Sequence, residues 1–128
     1  MMSFAETTGT HSTNAPVWTP IPGLVVKLPR GAGEQALLIL NVPNPYATGN
    51  DFPGGNFGLR VNGTMLAAYA SFTYNEQRPQ ATGRIPTTLC AAAPLSQTGD
   101  SLVEAVWSGV RQSTVHIDSP ATLTALID

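Results

Sequence analysis

From Val17 onward, short apolar segments rich in branched residues recur between turn-forming clusters: "LVVKL", "ALLILNV", "NFGLRVN", "MLAAYASFTYN", "TTLCAAA", "LVEAVWS", "STVHID" and "TLTALI". Segments of this length bounded by Gly, Pro and Asn predict strands, and their spacing predicts an all-β antiparallel sandwich or jelly roll. Asn62-Gly63 in "VNGTM" supplies the two positive φ angles of a type I′ hairpin turn. The same Asn62-Gly63-Thr64 matches a glycosylation sequon, but the tight turn accounts for the letters with nothing further assumed. Residues 1–15 are rich in Thr, Ser and Ala and show no period. They read as a loosely held arm, with residues 16–128 as one domain.

One segment argues against strand. In "DSLVEAVWSGVRQS" the apolar positions Leu102, Val103, Val106, Trp107 and Val110 recur at helical spacing, and Ser101 with Glu104 fits a capping box. Taken alone it predicts a helix. Its neighbours are strands, and a lone short helix late in an all-β chain is the rarer arrangement, so strand is the reading adopted.

Composition adds a constraint on the surface. Hydrophobic residues make up 42% of the 128 positions and charged residues only 11%, against roughly 25% charged in an ordinary soluble domain. Part of the surface is therefore neutral polar, and part is expected to be covered by other copies of the chain, with "AAYASF" as one apolar candidate. A net charge of −2 leaves no basic stripe for a phosphate backbone, so nucleic acid is excluded as a partner. No apolar run is long enough to span a bilayer. The opening "MMSFAETTGTHSTNAP" lacks the basic start and apolar centre of a signal peptide. These features predict a soluble chain without membrane insertion, cytoplasmic by sequence or released by a non-classical route. The single cysteine, Cys90, excludes an internal disulfide and, among apolar neighbours, reads as a buried inert thiol.

Chemistry is sparse. Two histidines and one cysteine give no metal-site spacing, so neither a metal nor another cofactor is expected. "RGAGE" lacks the strand-to-helix context and the third glycine of a phosphate loop and is a turn. In "STVHIDS", His116 and Asp118 fall on one face of a strand, with Ser113 and Ser119 as conceivable nucleophiles. A base must lie within about 3 Å of its nucleophile, however, whereas same-face neighbours on a strand sit roughly 7 Å apart. A histidine packed in a sheet is the simpler account, and no enzymatic activity is expected.

What remains is a set of polar groups beside aromatic rings. Residues 41–56, "NVPNPYATGNDFPGGN", hold Tyr46 within a loop of three prolines and three glycines. "FTYN" sets Thr73 and Tyr74 at a strand end, "ATGRIP" sets Thr82 and Arg84 around Gly83, and Arg111 and Asp118 lie near turns. A neutral sugar offers vicinal hydroxyls and a patch of C–H surface. A site for it needs bidentate donors, acceptors, small hydroxyls and an aromatic face, and no metal.

"ILNVPNPYATGNDFPG", followed in order by "FTY", "TGRIP", "VWSGVR" and "HIDSPATLTAL", closely resembles the tumour-necrosis-factor-like, fucose-binding N-terminal domain family of Burkholderia superlectins. The likeness runs from about Ile21 to Ala125. It implies a jelly roll assembling as a homotrimer, with metal-independent sites for fucosylated glycans between protomers. It also implies strand for the segment around Val106. Carried over residue by residue, the family's site falls on Tyr46, Thr73, Tyr74, Thr82, Arg84 and Arg111, with Asp118 and Ser119 toward the outer part of longer glycans. Two positions depart. A second family tyrosine aligns with Asn56, and the serine before Thr82 is Ala81. Those losses motivate the alternative of a trimeric protein-binding module, like tumour necrosis factor or C1q, that has lost its sugar.

Overall fold

Twelve strands and no helix make up the computed structural model, which describes all residues from Met1 to Asp128. In chain order they are β1 (Met2–Glu6), β2 (His11–Thr13), β3 (Thr19–Leu28), β4 (Gln35–Val42), β5 (Tyr46–Thr48) and β6 (Gly54–Val61), then β7 (Thr64–Met65), β8 (Ala70–Thr73), β9 (Thr87–Pro94), β10 (Ser101–Val110), β11 (Thr114–Ile117) and β12 (Thr122–Ile127). One sheet has the order β1-β12-β4-β9. A second runs β3-β10-β6-β7 with β8 also paired to β6, and a small third sheet is β2-β11-β5. Every pairing is antiparallel. Neighbours in each sheet are mostly distant in sequence, so the chain crosses repeatedly between layers.

Alternation decides which side of each strand is buried. Along β4, Ala36, Leu38, Leu40 and Val42 are buried, while Gln35 and Leu37 between them are exposed. Along β12, Leu123, Ala125 and Ile127 do the same. These meet Leu24, Val26, Phe57, Leu59, Val103, Ala105 and Trp107 from the second sheet in one hydrophobic cluster. Burial of that apolar area on both inner faces is what holds the sandwich closed.

The segment with helical spacing is strand β10, as its neighbours imply. Its inward positions, Val103, Ala105 and Trp107, are buried, but so are outward-facing Val106 and Ser108. Gly58 lies opposite Val106, and the ring of Trp18 packs within about 3.3 Å of the space a Cβ on Gly58 would fill. A strand covered on both faces loses its period of two, which lets a helical spacing arise by coincidence.

Asn62-Gly63 forms the expected hairpin, with φ of 49° and 82° and Val61 paired to Thr64. Two expectations are corrected. The first fifteen residues contain β1 and β2, and β1 is in continuous register with β12 from Met2↔Leu126 to Glu6↔Thr122. Thr7 closes the pair by donating its N–H to the Ala121 carbonyl and accepting the Ala121 N–H on Oγ1, both at 2.9 Å. No apolar-inward alternation marks the segment in the sequence, because the residues turned toward the protein are the small Ser3 and Ala5 while the large apolar Met2 and Phe4 are exposed. Cys90, expected inside, is exposed, because in β9 it is Leu89 and Ala93 that point to the core.

Exposed apolar residues gather on the outer face of the first sheet. Met2, Leu126, Leu37 and Ala92 form one cross-strand row, and Phe4, Thr124, Ile39 and Cys90 the next. Trp107, fully buried between the sheets, is the largest single contributor to the core. Replacing it with alanine is expected to cost about 3–5 kcal/mol, read as a lowered midpoint in urea unfolding; a loss within error of zero would mean the core is packed differently.

Candidate functional site

The loop of residues 41–56 is stitched to the segment 83–85 by bonds from both directions. Ile85 donates its N–H to the Pro45 carbonyl at 3.0 Å. Arg84 Nη1 donates to the Asn44 carbonyl at 3.1 Å. The Tyr74 hydroxyl donates to the Gly83 carbonyl at 2.7 Å and accepts the Ala47 N–H at 3.3 Å. Proline at 43 and 45 removes backbone freedom here, so the carbonyls that receive these donors are placed before any ligand arrives.

On this frame Arg84 makes a bidentate pair with Asp118, Nη1 to Oδ1 at 2.7 Å and Nη2 to Oδ2 at 2.8 Å. Its guanidinium carbon lies 4.2 Å from the centroid of the Tyr46 ring, and that ring stacks on His116 at 4.5 Å and 11°. β5 and β11 produce the stack, since Tyr46 and His116 are register partners across that pair. His116 Nε2 is bonded to Thr48 Oγ1 at 2.9 Å, and Ser119 Oγ accepts from Asn44 Nδ2 at 3.1 Å. Three of the five guanidinium N–H groups of Arg84 are thus engaged, and two remain.

The electrostatics follow from this packing. The hydrogen bonds from Arg84 hold the Asp118 carboxyl below the usual carboxylate range, and Asp118 in turn raises the pKa of Arg84. Burial pushes His116 below its ordinary value; the charge of Asp118 opposes that shift and the charge of Arg84 adds to it. Burial also raises the Tyr74 phenol, against the opposing bond from Ala47.

Arg111 belongs to a different cluster. It sits in the β10–β11 turn, where Arg111 and Gln112 adopt φ of 46° and 62°, a left-handed conformation that non-glycine residues take at a cost of order 1–3 kcal/mol. Its Nε donates to the Asp51 carbonyl at 2.8 Å and its Nη2 to the Phe52 carbonyl, with the guanidinium 5.9 Å from the Phe52 ring centroid. Thr73 faces the same loop as the register partner of Gly54. No hydrogen bond or ion pair joins Arg111 to the Arg84 cluster.

Of the residues singled out from the sequence, Tyr46, Tyr74, Arg84, Asp118 and Ser119 therefore come together, with Thr82 half-buried one residue before Gly83. Arg111 and Thr73 lie on the loop at 51–54. Asn56 belongs to neither group: its Nδ2 donates to Ser108 Oγ at 3.0 Å, and it lines a groove on the outer face of the second sheet. Sequence reasoning missed His116 as a wall of the aromatic stack and Asn44 as a backbone anchor. It missed Trp18 too, whose one signal was a large aromatic set between Pro16 and Pro20. Of the serines flanking His116, Ser119 is held by Asn44 within the cluster and Ser113 is committed to the strand junction. Ser113 Oγ donates to the Gly54 carbonyl at 2.7 Å and accepts the Gly54 N–H at 3.2 Å.

An all-β, two-layer sandwich with an arginine–carboxylate–aromatic cluster at one end defines the class. The chain belongs to the family described as the Bc2l-C N-terminal domain, whose model matches residues 8–126. The match bears out the superlectin resemblance and begins inside the first fifteen residues. No curated protein matches the chain. Among solved structures, the CBM36-1 domain of a multidomain xylanase from the hindgut metagenome of Trinervitermes trinervoides aligns over 100% of this chain and 98% of that one, at 13% identity and a TM-score of 0.48. A likeness that distant carries no argument about function.

His116 yields a test of the packing. Its folded pKa lies below the unfolded value of 6.5, so its contribution to stability is complete above that pH and is lost as pH falls through the folded value. The melting temperature is expected to drop between pH 7 and pH 5, and to drop less in His116→Gln; identical pH profiles would reject a half-buried imidazole held neutral by its surroundings. Ser113→Ala is expected to cost about 1–3 kcal/mol, since it leaves the buried Gly54 N–H without a partner, measured by urea unfolding.

Proposed function

We propose that the chain is a non-enzymatic lectin that binds neutral, fucosylated glycans without a metal. The observation that carries the reading is the Arg84 arrangement: a guanidinium fixed by Asp118 and the Asn44 carbonyl against an aromatic ring, with two N–H groups still to donate. A guanidinium held in one orientation loses little freedom when it binds vicinal hydroxyls, which matters for a ligand as weakly held as a monosaccharide. Because Tyr46 is already stacked by two planar groups, a sugar meets it through its hydroxyl and ring edge. Tyr74 and Thr82 would supply further contacts, and Asp118 with Ser119 would face the outer residues of a longer glycan.

Arg111 and Thr73, with the loop at 51–54, would complete the site from a neighbouring protomer. Two features support a cyclic homotrimer. The two arginine clusters do not contact each other within one chain, and the outer face of the first sheet presents neutral apolar rows that a partner copy would cover. Three such sites on one particle gain avidity for clustered glycans through effective concentration.

Titration calorimetry with methyl α-L-fucoside tests the reading. Arg84→Ala and Arg111→Ala are each expected to weaken binding at least tenfold, about 1.4 kcal/mol. Undiminished affinity in Arg111→Ala would reject the shared cleft, as would elution at the mass of one chain in size exclusion with light scattering. Silence across all fucosides on a glycan array would favour instead a trimeric module that binds protein, the reading that Asn56 and Ala81 motivate.

A further inference from the structure

The outer face of the second sheet carries a groove of about 560 Å³ that is separate from both arginine clusters. Its walls are apolar and aromatic. Trp18 and Tyr69 meet edge to face at 5.6 Å and 73°, and Val17 and Met65 extend the wall. The floor is polar, formed by Asn56 and Ser108, which are register partners across β6 and β10. No charged residue lines it.

The position of each part follows from the strands beneath. Gly58 has no side chain, so the Trp18 ring settles against the sheet there, and Met65 reaches the same space, its Cε 2.9 Å from where a Cβ on Gly58 would stand. Tyr69 follows the β6–β7 hairpin and is 58% exposed, as is Val17 at 67%. Two rings and two aliphatic groups are thus held on the surface although core burial does not require them. Asn56 Nδ2 uses one hydrogen on Ser108 Oγ. That leaves the Asn56 carbonyl oxygen, its second N–H and the Ser108 O–H for an outside partner, two donors and one acceptor.

We infer that this groove is a second binding site, for a neutral pyranose. The ligand that fits must be uncharged, because no lining group would compensate a buried charge. It must present an apolar face to the indole and phenol, and alternating hydroxyl donors and acceptors along one edge to Asn56 and Ser108. A pyranose ring has both, and the volume falls within the range of small-molecule sites. A peptide segment matches less well, since its backbone would need a run of donors and acceptors where the floor offers one amide and one hydroxyl. The site is complete within one protomer and uses neither arginine.

The indole N–H resonances of Trp18 and Trp107 in a nitrogen-15 correlation spectrum report on the groove and on the core separately. The intact protein is titrated with the methyl glycosides of xylose, glucose, galactose, mannose and fucose, and with methyl glucuronide as a charged control. The expected result is a saturable shift of Trp18 with at least one neutral glycoside, none with the glucuronide, and Trp107 unmoved. The response should persist in Arg84→Ala, which disables the first site. It should weaken at least tenfold in Asn56→Ala and in Tyr69→Ala, whose exposed ring can be removed without unfolding the chain. Absence of any Trp18 shift with the neutral glycosides would overturn the proposal. So would a response that survives intact in Asn56→Ala, or one lost in Arg84→Ala, which would make the groove an extension of the arginine site. Failure of fucoside binding with a surviving Trp18 response would count against the arginine site alone.

Discussion

Where β6 and β10 end together, there is no room for side chains, and the placement of the candidate site depends on that. A Cβ on Gly54 would stand 2.0 Å from the Phe72 carbonyl oxygen, and one on Gly109 would stand 2.1 Å from the Ser113 carbonyl oxygen. The backbones close to this distance because both positions are bare. Ser113 then fills the junction, bonding Gly54 through both its N–H and its carbonyl, while its own N–H donates to the Val110 carbonyl at 2.9 Å. This closure imposes left-handed backbone on Arg111 and Gln112, and the hydrogen bonds of Arg111 to the 51–52 carbonyls help to offset it. β11 leaves the junction in register with β5, which sets His116 beside Tyr46.

The low charge of the chain takes on a specific meaning in this setting. Of its three ion pairs, Lys27–Asp100 is well exposed and Arg60–Glu104 braces two strands of the second sheet. Arg84–Asp118 alone lies against an aromatic stack. An exposed pair of this kind contributes little to stability in water. Its value is geometric: two parallel bonds fix the plane of the guanidinium, and the ring and the Asn44 carbonyl fix its position. A chain so poor in charge has placed a cation where it orients donors rather than where it stabilises the fold.

Much of the architecture was legible in the chain. Alternation in "ALLILNV" and "TLTALI" identified β4 and β12, and Asn62-Gly63 identified the hairpin. The strand reading of "LVEAVWS" required its context, because a segment buried on both faces shows no alternation. β1, β2 and β5 were not legible. β5 is three residues long inside a proline-rich loop, and β1 is held by its register with β12 rather than by any pattern of its own. Within the site, Tyr46, Tyr74, Arg84 and Asp118 could be named from the residue types a sugar requires and from family resemblance. That His116 would form the other member of the stack could not, since it depends on pairing across 70 residues of chain.

Sequence alone thus determined the class of the fold, the hairpin at residues 62–63 and the kind of chemistry available, because these rest on local periodicity, turn stereochemistry and composition; the family rests on the resemblance of its ordered motifs and the match over residues 8–126. Tertiary structure decided which of the polar residues lie together within one chain. Asn56 shows the difference. By alignment it stands with the sugar-site residues, yet pleating turns its side chain to the outer face of the second sheet, beside Ser108 and beneath Trp18 and Tyr69. The direction of a side chain on a strand is set by register with its neighbours, and register is fixed only when the sheets have closed on their core.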